Sequence, residues 1–326
     1  MQLLNGVGVG ELEQAAIRDG FGEALLQLGK HNESIVALTA DLTESTRVQQ
    51  FAKSFPERFF EIGVAEQNLI GIAAGLSHEG FIPFAASYAV FSPGRTWDQI
   101  RVSVCYSKNN VKIIGSHAGL SVGADGATHQ ALEDVAIMRV LPNMVVVVPC
   151  DATEAHKATL AIAKHKGPCY LRLGREKVPT ITSEETPFEL GKAITITKGS
   201  DVTIVANGPL VFNALQAAHQ LEGTYSVRVV NLHTVKPLDH KTILDAAEET
   251  GAIVTAEDHQ IDGGMGSAVA ELVSQFNPVP VVRVGVKDSF GESGSVKELM
   301  DHFGLNVEAI CDAVKKAITL KGKNAR

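Results

Sequence analysis

Two kinds of apolar segment alternate along the first half of the chain. Short, continuously apolar runs such as Met144–Val148 are typical of strands buried on both faces of a parallel sheet. Between them, apolar residues recur at helical spacing, as Ile17, Phe21 and Leu25 do. This alternation predicts an α/β domain with helices on both faces of a parallel sheet. The predicted strands are 34–40, 81–85, 111–115, 144–148 and 169–173, and the predicted helices are 14–30, 66–76, 96–105, 132–139 and 152–164.

A change of pattern near the middle of the chain separates two domains. Residues 176–191 contain two prolines and several hydroxyl side chains but no helical period, which is typical of an interdomain linker. The alternation then resumes, with predicted strands 202–206, 227–231, 253–257 and 281–286 and predicted helices 210–221, 239–249, 267–276, 295–303 and 307–318. We therefore predict two doubly wound α/β domains, residues 1–175 and a smaller one at 192–326.

Composition and charge narrow the functional classes. The chain has 326 residues, is 45% hydrophobic and 6% aromatic, and carries a formal net charge of −8. Because no basic cluster is present, binding to nucleic acid or to an acidic membrane surface is not expected. No apolar run approaches about 18 residues, and the N-terminal residues lack the basic start and apolar core of a signal peptide. Four isolated cysteines fit a reducing compartment, so we expect a cytoplasmic protein.

Polar loops follow three of the predicted strands of the first domain. The loops are 41–46, 116–129 and 174–175. In open parallel sheets, ligands bind beyond the carboxyl ends of the strands. We therefore expect a ligand site where these three loops meet.

The side chains of these loops suggest proton transfer and anion binding. His117 and His129 lack the spacing of zinc ligands and are interpreted as proton-transfer groups, because an imidazole titrates near neutral pH. Arg18, Ser45 and Arg175 together would suit a phosphate, which a planar guanidinium binds well. Taken singly, each of these residues is equally compatible with an ordinary core or surface position.

Glu66 is the most distinctive candidate. It stands at the start of the predicted helix 66–76, among the apolar residues Ile62, Val64 and Leu69. An acidic residue is common in a first helical turn, because the helix dipole favours it there. Apolar surroundings, however, favour the protonated form, which can donate a hydrogen bond to a ring nitrogen. Both interpretations remain open from the residues alone.

Several runs of residues together resemble the transketolase family. They are Gly63–Asn68, Gly115–Asp134, Pro142–Met144, Glu257–His259 and Gly263–Gly266. The similarity extends over about residues 10–320 and covers only the pyrimidine-binding and C-terminal domains of the family. It implies that residues 1–175 bind the pyrimidine of thiamine diphosphate. It also implies transfer of a two-carbon ketol unit from a ketose phosphate to an aldose phosphate, as in the pentose phosphate pathway.

For the cofactor, the resemblance implies that Glu66 contacts the pyrimidine N1′ and promotes the imino tautomer. Tyr88 and Phe91 match aromatic positions that pack on the pyrimidine, and Asp41 and Leu42 match positions near the thiazolium ring. The chain departs from the family pattern at Tyr88, where many relatives have phenylalanine. The segment Ser92-Pro93-Gly94 also contains one extra residue.

For the substrate, the resemblance implies that His117 and His129 bind the hydroxyl groups of the donor sugar and move protons, with Asp125 binding a hydroxyl beside them. The residues implied in holding the sugar phosphate are Arg18, Ser45 and Arg175.

The ligands of the cofactor diphosphate are missing from the sequence. Related thiamine enzymes use a Gly-Asp-Gly motif, followed by asparagines, to bind Mg²⁺ or Ca²⁺ and the diphosphate. This chain contains no Gly-Asp-Gly motif, and a diphosphate needs a metal to neutralise its charge. The resemblance therefore implies an N-terminal partner subunit that carries this motif, in an α2β2 heterotetramer. No metal ligand is assigned to this chain.

Three other functions are weighed against this one. A deoxyxylulose-phosphate synthase typically carries arginine where His117 stands, and a 2-oxo acid dehydrogenase beta-type subunit fits the run Gly115–Gln130 poorly. A non-catalytic regulatory remnant would have no need of Glu66, His117 and His129 together. A nicotinamide dehydrogenase would need a G-x-G-x-x-G motif after a strand, which is lacking.

Overall fold

The computed structural model describes residues 12–324. The expectation that the chain has no signal peptide falls largely on residues 1–11, outside this range.

Residues 12–324 form fourteen β-strands and eleven α-helices. The strands are β1 (Gln14–Ala16), β2 (Ile35–Thr39), β3 (Phe59–Glu61), β4 (Ile82–Tyr88), β5 (Lys112–Ser116), β6 (Val145–Val147), β7 (Cys169–Arg172), β8 (Lys177–Pro179), β9 (Ile194–Thr197), β10 (Val202–Ala206), β11 (Val227–Asn231), β12 (Thr234–Lys236), β13 (Ile253–Gln260) and β14 (Val281–Val286). The helices are α1 (Ile17–His31), α2 (Gln49–Ser54), α3 (Glu66–His78), α4 (Trp97–Gln99), α5 (Asp134–Arg139), α6 (Ala152–Lys164), α7 (Leu210–Gln220), α8 (His240–Thr250), α9 (Met265–Phe276), α10 (Val296–His302) and α11 (Val307–Asn324).

A seven-stranded sheet forms the centre of the first domain, in the order β12-β6-β7-β5-β4-β2-β3. All pairs are parallel except β12 with β6. The strands are almost wholly buried because helices cover both faces: α1 and α6 pack together on one face, and α3 packs on the other. This architecture confirms the predicted α/β class.

The second domain has a five-stranded sheet in the order β14-β13-β10-β11-β9, of which only β9 is antiparallel to its neighbour. Helices α7 and α11 pack on one face, and α8 and α9 lie together on the other. The domains share a sheet as well as a surface, because β12 of the second half adds to the first sheet beside β6.

Two predictions of local structure were wrong. The helix predicted for 14–30 begins at Ile17, because Gln14–Ala16 form β1. The segment predicted as the linker, 176–191, contains β8, which pairs with β1. The helix predicted for 96–105 is α-helical only at α4 and continues as a π-helix over Ile100–Tyr106.

Within residues 12–324, no helix is both long enough and apolar enough to span a bilayer.

Candidate active site

The candidate residues come together at one edge of the first sheet. Strands β2, β4, β5 and β7 are near neighbours and parallel, so their carboxyl ends share this edge. Asp41, Tyr88, His117 and Arg175 lie at or just beyond those four ends. The arrangement is the one expected for a ligand site in an open parallel sheet.

Four rings form a compact cluster at this edge, called here the ring cluster: Tyr88, Phe91, His117 and His129. Tyr88 stacks on His117 with ring centroids 3.8 Å apart and on Phe91 at 6.0 Å. His129 meets the edges of Tyr88 and Phe91 at 6.2 and 5.4 Å. The two histidines predicted from the sequence are therefore held against the two predicted aromatic residues.

His117 is held as a neutral imidazole. Its Nε2 lies 3.0 Å from Arg18 Nη1 and its Nδ1 lies 2.9 Å from Ser116 Oγ. Because a guanidinium only donates, Nε2 must accept and Nδ1 must carry the proton. Burial, followed by the charges of Arg18 and Arg175, lowers the pKa of His117 to about 3. The predicted titration of His117 near neutral pH is therefore wrong, since its surroundings are dry and cationic.

His129 is placed differently. It is partly exposed, and its Nδ1 lies 2.9 Å from Thr128 Oγ1. Within residues 12–324, its Nε2 has no hydrogen-bond partner. Of the two histidines, His129 is the one whose geometry leaves a nitrogen available to a bound molecule.

Arg18 lies beside the ring cluster, and Arg47 and Arg175 are close enough to Arg18 to affect its charge. Arg18 Nη1 donates to the backbone carbonyl of Ser45 at 2.8 Å as well as to His117, while the buried Arg18 Nε has no partner. Burial and the neighbouring Arg47 lower the pKa of Arg18, and Arg175 acts in the same direction. Arginines that crowd one another and keep unused donors form a favourable site for an anion.

Arg175 and Asp125 form an ion pair with each other. Arg175 Nη1 donates to the carbonyl of Val122 at 2.6 Å and lies 3.5 Å from Asp125 Oδ2. Both side chains are about one-third exposed or more, so this ion pair contributes little to stability. The pair can therefore open towards a ligand at small cost.

Glu66 is buried, as predicted, but its surroundings are not wholly apolar. Its side chain is 3% exposed, and its Oε2 accepts a 2.8 Å hydrogen bond from Arg95 Nη1. Within residues 12–324, Glu66 Oε1 accepts no hydrogen bond. Of the apolar neighbours predicted for Glu66, Val64 is exposed, whereas Leu69 is fully buried.

Arg95 was not predicted from the sequence, and a turn explains why. After the cis peptide bond Ser92-Pro93, Gly94 lies so close to Val90 that a Cβ would be 2.3 Å from its carbonyl oxygen. This turn places the Arg95 guanidinium 5.0 Å from the centre of the Phe91 ring and against Glu66. The segment Ser92-Pro93-Gly94 thus delivers Arg95 to the site.

Asp41 and Leu42 lie at the neighbouring strand end. Asp41 has a φ of 60°, and its N–H donates to Glu61 Oε1 at 2.7 Å. Glu61 also accepts from Thr43 Oγ1 and from the N–H of Gly63. Glu61, another residue missed at sequence level, thus ties the Asp41 loop to the segment that leads into α3.

The described part of the chain offers no metal centre of its own. Within residues 12–324, no group of three or more histidine, cysteine, aspartate or glutamate side chains could hold a metal ion. The four cysteines are buried and free, and burial raises the pKa of Cys105 to about 11.

Comparisons with known proteins identify the family of both domains. The family model of the transketolase pyrimidine-binding domain matches residues 13–180, and that of the transketolase C-terminal domain matches residues 191–310. Together they cover most of the chain.

The chain is similar to separate subunits over nearly their whole length. It is 46% identical to a putative transketolase C-terminal section of Methanocaldococcus jannaschii, covering 91% of this chain and 95% of that protein. It is 43% identical to a 6-deoxy-6-sulfo-D-fructose transketolase subunit of a Clostridium species, covering 95% and 97%. A solved structure described as a split gene transketolase, inactive beta4 tetramer, is 50% identical with a TM-score of 0.88, covering 94% of this chain and 99% of that one. The chain therefore belongs to the transketolase family and corresponds within it to the C-terminal section of split transketolases.

Proposed function

We propose that this chain is the catalytic C-terminal subunit of a thiamine-diphosphate-dependent transketolase, which moves a two-carbon ketol unit from a ketose phosphate to an aldose phosphate. The observation that carries the proposal is the meeting of a buried Glu66, the ring cluster and the arginines at one sheet edge. A proton-transfer group, an anion site and a cofactor-facing acid are the three things that this reaction needs from the subunit.

The residues present fit one half of the cofactor. Glu66 has an unused carboxylate oxygen beside Phe91 and Arg95, which suits a flat heterocycle with a ring nitrogen. When bound, thiamine diphosphate supplies the nucleophilic carbon that accepts and releases the two-carbon unit. Arg95 holds the Glu66 carboxylate in one orientation, and Tyr88 and Phe91 provide aromatic faces.

The diphosphate half of the cofactor has no counterpart in this chain. Residues 12–324 contain no cluster of metal ligands, and the sequence has no Gly-Asp-Gly motif. We assign the diphosphate and its Mg²⁺ or Ca²⁺ to an N-terminal partner subunit, with two copies of each subunit in an α2β2 assembly. The related tetramer of beta chains alone is described as inactive, which supports the need for a partner.

The geometry divides the substrate roles among the histidines and arginines. His129 is the proton-transfer group, because His117 is held neutral with both nitrogens engaged. His117 therefore has no free nitrogen for the sugar and instead holds Arg18 in place, and a sugar hydroxyl is bound by Asp125 beside the Arg175 guanidinium. Arg18 and Arg175, next to Ser45, bind the phosphate. A sulfonate would satisfy the same donors, and one relative is named for a sulfo-sugar.

A mixing experiment tests the function. The purified chain is combined with a Gly-Asp-Gly partner, thiamine diphosphate and Mg²⁺, and transfer is measured with xylulose 5-phosphate and with 6-deoxy-6-sulfofructose as donors. Ketol transfer by the mixture and none by either chain alone is expected. Transfer by this chain alone would refute the obligate partner, and decarboxylation of pyruvate in place of transfer would indicate one of the rival families.

A further inference from the structure

The loop of residues 116–130, which carries His117, Asp125 and His129, is built against the second domain. Each of its three glycines has a positive φ and faces that domain. A Cβ at Gly119 would lie 1.9 Å from Asp258 Oδ2, and one at Gly126 would lie 2.5 Å from Ser293 Oγ. A Cβ at Gly123 would contact Gly294 and Val296. The loop conformation therefore fits the second domain closely, with no room for a side chain at Gly119 or Gly126, whereas a Cβ at Gly123 would make ordinary contacts at 3.4 and 3.6 Å.

The apolar residues around this loop also belong to the second domain in space. Leu120 and Leu132, although they lie in the first half of the sequence, are buried in the hydrophobic core of the second domain. Gln130 Nε2 donates to the carbonyl of Glu292 at 2.9 Å and to that of Gly123 at 3.2 Å. The far end of the loop is thus tied to residues 291–296.

Asp258 makes the central polar contact. Its Oδ1 accepts the N–H of Leu120 at 3.0 Å, across 138 residues of sequence. Asp258 is 2% exposed, and its backbone carbonyl accepts from Arg172 Nη2 at 2.8 Å. Leu120 lies three residues after His117. Between them, the N–H of Ala118 donates to the carbonyl of Leu173 in the first domain. The start of the loop therefore makes hydrogen bonds with both domains.

We propose that contacts with the second domain determine the conformation of the loop 116–130, and that Asp258 is a positioning residue for His117 and His129. The inference rests on the proposed function for the roles of the two histidines. Asp258 is buried, so its effect on a bound molecule would pass through the loop. Its carboxylate oxygen holds the Leu120 N–H and thereby sets the left-handed turn at His117, which has a φ of 55°. Without that acceptor, the loop loses the contact that selects one conformation.

The test compares three variants of the full chain. Asp258→Ala removes the acceptor, whereas Asp258→Asn keeps an oxygen for Leu120 and carries no buried charge. Asn231→Ala is the matched control, because Asn231 donates across the same domain boundary to Glu154 at 2.8 Å, away from the loop. Amide hydrogen exchange of residues 116–130 is measured in the purified chain, and kcat and KM are measured after assembly with the partner subunit.

Asp258→Ala is expected to speed exchange of the Leu120 amide and its neighbours at least about tenfold, because a buried hydrogen bond is lost. In the assembled enzyme it lowers kcat by a similar factor, with unchanged affinity for thiamine diphosphate. Asp258→Asn restores both values to near the wild type, and Asn231→Ala leaves loop exchange unchanged. Unchanged Leu120 exchange in Asp258→Ala would overturn the inference, as would equal defects in Asp258→Asn or loop loosening in Asn231→Ala.

If Asp258→Ala fails to fold, Gly291→Ala tests the same proposal without changing Asp258. Its Cβ would lie 1.8 Å from Gln130 Oε1, so it displaces the Gln130 side chain and with it the hydrogen bonds of that side chain to Gly123 and Glu292. Faster amide exchange around His129 is expected, and unchanged exchange there would contradict the proposal that the second domain determines the loop conformation. If the wild-type assembly transfers no ketol unit, the proposed function fails, whereas the exchange measurements still decide how the loop is held.

Discussion

The neutral state of His117 leads to a measurable prediction about its titration. Burial and the adjacent Arg18 and Arg175 lower its pKa to about 3, from an ordinary value of 6.5. At pH 5, an imidazole with this pKa is about 1% protonated, whereas an unperturbed one is almost fully protonated. The shift corresponds to about 5 kcal/mol of cost for placing a proton on His117 in the folded chain.

Nuclear magnetic resonance of the ¹⁵N-histidine-labelled chain measures this directly. The His117 signals are assigned with His117→Asn, since asparagine tolerates a positive φ and its side-chain oxygen can accept from Arg18. Between pH 8 and pH 5, the wild-type His117 nitrogens should keep the shifts of a neutral ring protonated at Nδ1. A midpoint between pH 6 and 7 would refute the argument from burial and charge, and a proton on Nε2 would refute the assigned contact with Arg18.

The same shift fixes the sign of a pH effect on stability. The unfolded chain protonates His117 near pH 6.5 and the folded chain only near pH 3, so the unfolded state binds more protons between these values. The stability from this residue is thus complete above pH 6.5 and is lost as the pH falls towards 3. At pH 5 the loss is about 2 kcal/mol. His117→Asn should show a correspondingly smaller loss between pH 7 and pH 5.

Three further substitutions test other parts of the site. Glu66→Gln should keep partner binding but lower turnover at least about a hundredfold, because the amide cannot exchange a proton; wild-type rates in the mixed-subunit assay would contradict the role. Arg18→Lys should raise KM about tenfold for a phosphorylated donor but not for an unphosphorylated ketose, since lysine lacks the planar set of donors; equal changes for both donors would argue against the anion site. Asp134→Ala leaves Arg172 buried without its 2.8 Å ion-pair partner and should lower the free energy of unfolding by about 3–5 kcal/mol. Urea unfolding followed by the fluorescence of the single tryptophan, Trp97, measures this loss, and an unchanged midpoint would contradict it.

The regular elements were predictable wherever burial alone determines the pattern. Strands β10, β11 and β14 and helix α6 have the predicted bounds, because continuous apolar runs and helical spacing follow directly from packing on two faces. The short strands β1, β3, β8, β9 and β12 were missed. Each lies at a sheet edge or in a two-stranded pair, so its partner fixes it more than its own composition does.

Several residues of the candidate site stand out in the sequence, but Arg95, Glu61 and the electrostatics of the site do not. Glu66 and the two histidines stand in recognisable local runs. The neutrality of His117, in contrast, depends on Arg18, which lies 99 residues away. The counter-charge of Glu66 depends on a turn that delivers Arg95 from 29 residues away. Contacts of this kind are decided by tertiary packing, which no local pattern records.

The motif Glu257-Asp258-His259 has structural roles in the described fold. The Glu257 carboxylate accepts the N–H groups of Met265 and Gly266 at 2.7 and 2.8 Å and so caps the start of α9. His259 Nε2 lies 3.4 Å from the N–H of Ala136 in the first domain. The carboxylate of Asp258 points the same way, to Leu120. Glu257 thus stabilises helix α9, while Asp258 and His259 bind residues 120 and 136 of the first half of the chain. The motif therefore connects the second sheet to the loop that bears His117.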